Sequence, residues 1–310
     1  MNHWREEEDH VPLWAGVGRD GRVMYSSDAE SWTEYESPAG ETSDYWDISF
    51  GKDDSDDARW IVATNTSPEL RYSADPTTSG SWSSIDFSGT SDAARTVEYG
   101  DNGTWIAATG DDVFRSTNGG DSWTKITDVE SGAGLNLCLA TDGAGTWLMG
   151  GTLKTLKSYD DGLNWYESTA TRANGIEYNN GVWFLAGNGT TSYRITSITE
   201  SDTTDTWSAV TGISEALWAI CHITGNTWMT ANKGTQLYIS TDNCASWATT
   251  DLANPDVGQI MGLASDGTTI IAGGKGNKIS SSTDNGQSWT VRFTSAVDVL
   301  VLEYNKVKPF

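Results

Sequence analysis

The residue types that build metal and disulfide centres are scarce in this chain of 310 residues, which has 3 histidines, 3 cysteines and 6 prolines. His3, His10 and His222 are scattered, and none pairs with a second histidine or a carboxylate at a chelating interval. No metal site is expected on them, and no cofactor. Cys138, Cys221 and Cys244 lack metal-ligand spacing, and their odd number argues against a disulfide framework. Cys138 and Cys221 lie in the apolar runs LNLCLA and WAICHI, where a free cysteine behaves as a small buried hydrophobe. Such a chain is expected to be made in a cytosol. Positive charge is also sparse: 19 Lys and Arg stand against 43 Asp and Glu, for a net charge of −24. That balance repels phosphate backbones, so nucleic acid is not an expected partner, while solubility is well served. No run approaches the ~18 apolar residues of a membrane span. The opening MNHWREEEDH is too acidic and polar for a secretory signal peptide.

Tryptophan, by contrast, is abundant, with 16 residues, and it is periodic. Trp32, Trp82, Trp123, Trp165, Trp207, Trp247 and Trp289 form one series; Trp14, Trp60, Trp105, Trp147, Trp183 and Trp228 run ahead of it, with Ile270 in the seventh place. A strand-rich unit repeating every ~40–50 residues predicts a propeller-type array. The repeat runs without interruption, so one domain over 11–310 is expected, preceded by an extension over 1–10.

The third repeat shows the unit most plainly. Strand A is expected at Thr96–Tyr99, strand B at Thr104–Thr109, strand C at Val113–Thr117 and strand D at Ser122–Thr127, each joined by turns rich in Gly, Asn or Asp. Strand A recurs at 46–51, 136–141, 175–180, 218–223 and 260–265. Strand B recurs at 13–18, 60–64, 147–151, 183–187, 228–232 and 270–274. Strands this short need stacked neighbours to supply a core. The chain opens in a strand B and finishes in an unpaired strand A, Val299–Tyr304. The expected fold is therefore all-β: a seven-bladed β-propeller of four-stranded antiparallel blades, its ring closed by the C-terminal strand pairing with the N-terminal blade.

The turns between strands C and D carry a signature, Ser-x-Asp-x-Gly-x-x-Trp. It is met by Ser158, Asp160, Gly162 and Trp165 and by Ser282, Asp284, Gly286 and Trp289. Asn118 replaces Asp in the set Ser116, Gly120 and Trp123, and Cys244 replaces Gly in the set Ser240, Asp242 and Trp247. The segment 26–32 is one residue short, 73–82 carries two extra, and 198–207 is degenerate. This resembles the Asp-box, or BNR repeat, of sialidase-like propellers. The resemblance implies structural boxes on the periphery, with Asp28, Asp75, Asp160, Asp242 and Asp284 capping turn amides rather than serving as catalytic carboxylates.

Sialidase chemistry would need an arginine triad, a Tyr nucleophile polarised by Glu, and an acidic proton donor. The chain has ten arginines and no Arg-Ile-Pro stretch near its start. What remains is a set at the inner strands: Arg95, Glu98 and Tyr99; Arg172, Glu177 and Tyr178; Glu303 and Tyr304. Adjacent strand residues point to opposite faces, so one member of each Glu-Tyr pair should face the axial channel and the other the blade interior. Arg115, Lys157 and Arg194 on strand C read as solvated surface.

Two further resemblances bear on function. VFRSTNGGDSW with the preceding WIAATG resembles the non-catalytic propellers that act as photosystem II assembly factors, although the basic patch and export leader usual in those proteins are not expected here. YWDISFGKDDSDDARWIVAT (45–64) is similar to short Asp-box propellers of tailed bacteriophages. The expected function is non-enzymatic: a structural or interaction propeller of a phage virion, tail- or fibre-associated, contacting other virion proteins or a host-surface receptor or glycan without membrane insertion. The alternatives are an assembly-factor-like protein-binding module and a glycoside hydrolase. Binding is expected on the face carrying the D-to-A and B-to-C loops, among them GRDG (18–21), GTLKT (151–155), NKGTQ (232–236) and GKGN (274–277). The opposite face holds KDDSDD (52–57), read as a solvated hairpin tip.

Overall fold

Strand B is the most deeply buried element of each repeat because sheets cover both of its faces. In Trp14–Gly18, Trp105–Ala108, Trp147–Gly151, Val182–Gly187 and Ile270–Gly274 every residue is buried. That explains why these segments read as continuous apolar runs rather than alternating ones. The computed structural model describes residues 12–37, 42–66, 69–87, 92–100, 102–127, 129, 136–170, 172–198, 205–249 and 251–305. The proposed N-terminal extension, with Trp4, lies outside them, as does most of the degenerate box at 198–207.

The described residues form seven antiparallel sheets. Their innermost strands are Tyr45–Lys52, Thr96–Tyr99, Asn136–Thr141, Ala173–Asn179, Leu217–Thr224, Ile260–Ser265 and Val299–Tyr304. Each touches the next in that order, and Val299–Tyr304 returns to Tyr45–Lys52, so the seven encircle an axis. Six sheets have four strands. In the sheet of Leu217–Thr224 the outermost position is held by the paired bridge Ile239/Ala248, whose two backbone hydrogen bonds measure 2.8 and 2.9 Å.

Ring closure follows the expected route. Val299–Tyr304 pairs antiparallel with Trp14–Gly18, Trp14 opposite Tyr304 and Val17 opposite Val301. Asn305 extends the seam: its amide donates to the Leu13 carbonyl at 3.1 Å, and its side-chain oxygen accepts from the Leu13 amide at 2.8 Å. In the third blade the observed strands Trp105–Ala108, Val113–Ser116 and Thr124–Ile126 lie one or two residues inside the expected limits. Such ends fray where turn hydrogen bonds replace the ladder.

The cores lie between blades. Ile61, Ala63 and Leu70 of the second blade pack against Val97, Trp105, Ala107 and Phe114 of the third, and Phe87 stacks on Phe114 at 4.0 Å. Both tryptophan series feed these layers: Trp105, Trp147 and Trp228 are fully buried and Trp165 is 2% exposed. Each removes roughly 200 Å² from water, about 5 kcal/mol of gross transfer free energy.

Candidate functional site

The box residues sit at the outer edges of the blades. Ser158 Oγ donates to Asp160 Oδ1 at 2.9 Å and accepts from the Gly162 amide at 3.0 Å, while Asp160 Oδ1 accepts from the Asn164 amide at 2.9 Å. The same three bonds recur at Ser240, Asp242 and Cys244 and at Ser282, Asp284 and Gly286. Ser116, Asn118 and Gly120 repeat them with an amide oxygen as acceptor. Amides from Ser31 and Glu30 and the Ser26 hydroxyl lower the Asp28 carboxyl to about 2. At Asp160 and Asp242 partial burial is outweighed by bonds from Asn164 and Ser246, and both stay below the usual carboxylate range. The box indoles also serve their turns: Trp123 and Trp165 Nε1 donate to the Gly120 and Gly162 carbonyls at 2.9 and 3.0 Å.

Strand C departs from the sequence reading. Lys157 is buried, 1% exposed at its side chain, and pairs at 2.8 Å with Asp205, itself 0% exposed. Arg115 pairs with Asp161 of the next blade at 2.6 Å. These cations are inter-blade latches, not solvated surface, because strand C faces the neighbouring blade's outer turn.

The axis is occupied by a cavity of about 540 Å³ with walls from all seven inner strands. A β-bulge shapes its rim. Pairing with strand B skips one residue between Tyr45 and Asp47, Asn136 and Cys138, Ala173 and Gly175, Leu217 and Ala219, Ile260 and Gly262, and Val301 and Val299. A bulge re-aims the skipped side chain. The skipped residues are Trp46, Leu137, Asn174, Trp218, Met261 and Leu300; Arg95 holds the equivalent place in the third blade, and all seven line the cavity. The next residue along is Asp47, Thr96, Cys138, Gly175, Ala219, Gly262 or Val301, mostly small, which leaves the channel its width.

Cations gather at this rim although the chain is strongly acidic. The Arg95 guanidinium lies over the Trp46 ring at 4.5 Å, and Lys233 Nζ over the Trp218 ring at 5.0 Å. Arg19 and Lys275 line the cavity from the loops 18–21 and 274–277. Arg19 is tied to Asp44 at 3.2 Å and Asp298 at 3.1 Å. Arg95 and Lys275 make no ion pair among the described residues. Arg172 is exposed ahead of its inner strand and is not part of the cavity wall.

Deeper in the channel stand carboxylates. Glu98, Glu177 and Glu303 line the cavity. Their neighbours turn the other way: Tyr99 packs on Trp105 at 4.9 Å, Tyr178 on Trp183 at 4.7 Å and Tyr304 on Trp14 at 4.5 Å. Each Glu-Tyr pair is thus split across its strand, with the tyrosine ring against strand B, though Tyr178 also reaches the wall. Glu177 Oε1 accepts from the His222 amide of the adjacent blade at 3.0 Å. Asp47 bridges blades in the same manner, accepting from Thr96 Oγ1 at 2.7 Å and the Val97 amide at 3.0 Å. Burial nevertheless pushes its carboxyl up to about 6. Burial also raises the Cys138 thiol to about 12, which disfavours its thiolate form.

The sequence reading singled out Arg95 and the three glutamates and placed Lys275 in an expected binding loop, 274–277, but gave Trp46, Trp218 and the apolar rim no binding role. The residue two places before each inner-strand aliphatic (Ile48, Val97, Leu139, Ile176, Ile220, Leu263, Leu302) marks the whole ring. Among the described residues no group of three or more His, Cys, Asp or Glu could hold a metal ion. No helix among them is long and apolar enough to cross a membrane.

A scan of protein-family models finds no match to the chain, and a search of curated proteins finds none either. Solved structures do match. "YCF48 bound to D1 peptide" is similar with a TM-score of 0.60 and 17% identity, covering 80% of this chain and 81% of that one. "YCF48 from Cyanidioschyzon merolae" gives 0.61 and 16% over 83% and 88% of the two chains. "Streptogramin B lyase structure" gives 0.65 and 11% over 93% and 89%. At these identities the likeness is one of fold, that of a seven-bladed β-propeller.

Proposed function

We propose that this propeller is a non-catalytic protein-binding module that holds a segment of a partner polypeptide at the rim of its axial channel. The observation that carries the reading is the cation-and-tryptophan rim: Arg95 and Lys275 without acidic partners among the described residues, in a chain of net charge −24. Unpaired cations beside aromatic faces and apolar side chains make a surface that gains by covering. A similar fold, YCF48, has been solved with a D1 peptide bound, which supports a peptide as the class of ligand. Of the expected functions, the assembly-factor-like binder therefore stands ahead of the phage virion role, which none of the three named neighbours supports. A glycan has less to recommend it, since the rim tryptophans are already capped by Arg95 and Lys233.

Selection of random-sequence peptides displayed on a carrier tests the reading. Recovered peptides should lose binding when Arg95 and Lys275 are both changed to Glu, and keep it when Asp284 on the opposite face is changed to Asn. Enrichment of no peptide, or binding indifferent to the rim, would refute it.

A further inference from the structure

Chemistry along the channel changes in a fixed order, and that order narrows the ligand. The loop 274–277 brings Lys275 to the mouth, the bulge ring sets Arg95 beside Trp46, Met261 and Leu300, and Glu98 and Glu303 stand deeper, with Asp44 and Asp47 also in the wall. The arginine and the glutamate of the third blade are three residues apart on one strand, a depth of about 10 Å. A ligand matched to this order carries an anionic group and apolar surface at the level of the ring and a cation deeper.

Resting on the protein-binding reading above, we infer that the channel takes the C-terminal end of a polypeptide that finishes in lysine or arginine. The free α-carboxylate meets Arg95 and Lys275 through charge-assisted hydrogen bonds. The methylene stem lies along the apolar ring, as long basic side chains do against hydrophobic surface. The ammonium or guanidinium reaches Glu98 and Glu303, whose carboxylates each carry several acceptor sites and so receive a cation while keeping the bonds they already make. An acidic chain end would set a like charge against the deep carboxylates, and a purely apolar one would offer them no charge at all. The net charge of −24 acts in the same direction, since it draws basic tails toward the molecule from a distance.

Fluorescence anisotropy with four labelled peptides of one sequence tests the inference. They end in lysine as the free acid, lysine amide, norleucine as the free acid, and lysine followed by glycine. The lysine acid should bind tightest, with the other three weaker by about tenfold, the scale of one lost charge-assisted bond. Changing Glu98 and Glu303 together to Gln should bring the lysine-to-norleucine ratio to about one. Changing Arg95 and Lys275 together to Gln should do the same for the acid-to-amide ratio, with near-ultraviolet circular dichroism confirming that each variant is folded. If all four peptides bind alike and the rim variants weaken all of them, the chain-end inference falls while the protein-binding reading stands. If no peptide binds in any form, both fall.

Discussion

Left-handed backbone at two successive positions shapes each full-length box turn. Gly119 and Gly120, Asp161 and Gly162, Asn243 and Cys244, and Asn285 and Gly286 all have positive φ. The residues are those that tolerate it, with Cys244 the exception at φ 66. Gly119 is doubly constrained, because a Cβ there would lie 2.3 Å from the Asp53 Cα in the hairpin of the preceding blade. Gly119→Ala should therefore cost roughly 2–4 kcal/mol, from strained φ plus a backbone clash, read as a lower urea midpoint. Titration at the residue scale has two signs. Asp28, Asp160, Asp242 and Asp284 hold folded pKa values below the ordinary one. The unfolded chain then binds more protons, so their stabilisation is complete above about pH 4 and is lost as the pH falls through their lowered values. Asp47 runs the other way. Its folded pKa of about 6 lies above the unfolded value, so its favourable contribution is complete below about pH 4 and is lost as the pH rises through 6. Asp47→Asn should flatten the decline between about pH 4 and 6 in a urea-midpoint profile and leave the acid limb in place.

Between elements, the blades are joined by ion pairs as well as by apolar layers. Arg59 donates to the Gly119 carbonyl at 2.6 Å and to Asp121 at 2.5 Å, and Arg115 holds the following box turn in the same way. The buried Lys157–Asp205 pair is the extreme case, with Ser168 donating to the same carboxylate at 3.3 Å. Lys157→Met alone should destabilise by about 3–5 kcal/mol, because it removes the cation that the buried Asp205 carboxylate faces. Adding Asp205→Leu should recover most of that loss, so a double-mutant cycle by chemical denaturation would show strong coupling. The pair escaped the sequence reading because Asp205 belongs to a degenerate box with no recognisable role, and nothing local links it to a lysine on another strand. The bulge ring was half legible. Trp46 and Trp218 read as inner-strand residues, but only the pairing register shows that they are the skipped positions.

For the molecule as a whole, closure by Val299–Tyr304 is the element on which the ring depends. A chain ending at Ala296 would uncover the edge of Trp14–Gly18, whose five residues are all buried in the intact ring. An exposed apolar edge strand invites pairing with other copies. The truncated chain should elute as self-associated species in size-exclusion chromatography with light scattering, and added peptide spanning 297–305 should restore a monodisperse ring. The intact protein eluting as the truncated one does would count against this role for the seam. The same strand carries Leu300 and Glu303, so closure completes the channel as well as the fold.

Blade number, strand positions and the closing strand were all readable from the amino-acid order, because each depends on a local period repeated seven times and on termini that fall out of phase with it. What the order could not show is which side chains share the axis. Arg19, Arg95 and Lys275 lie far apart along the chain and in a background of acid, and no periodicity joins them. They come to line one cavity only when seven bulged inner strands turn inward around a closed ring, since a bulge is a property of pairing between strands and not of either strand alone.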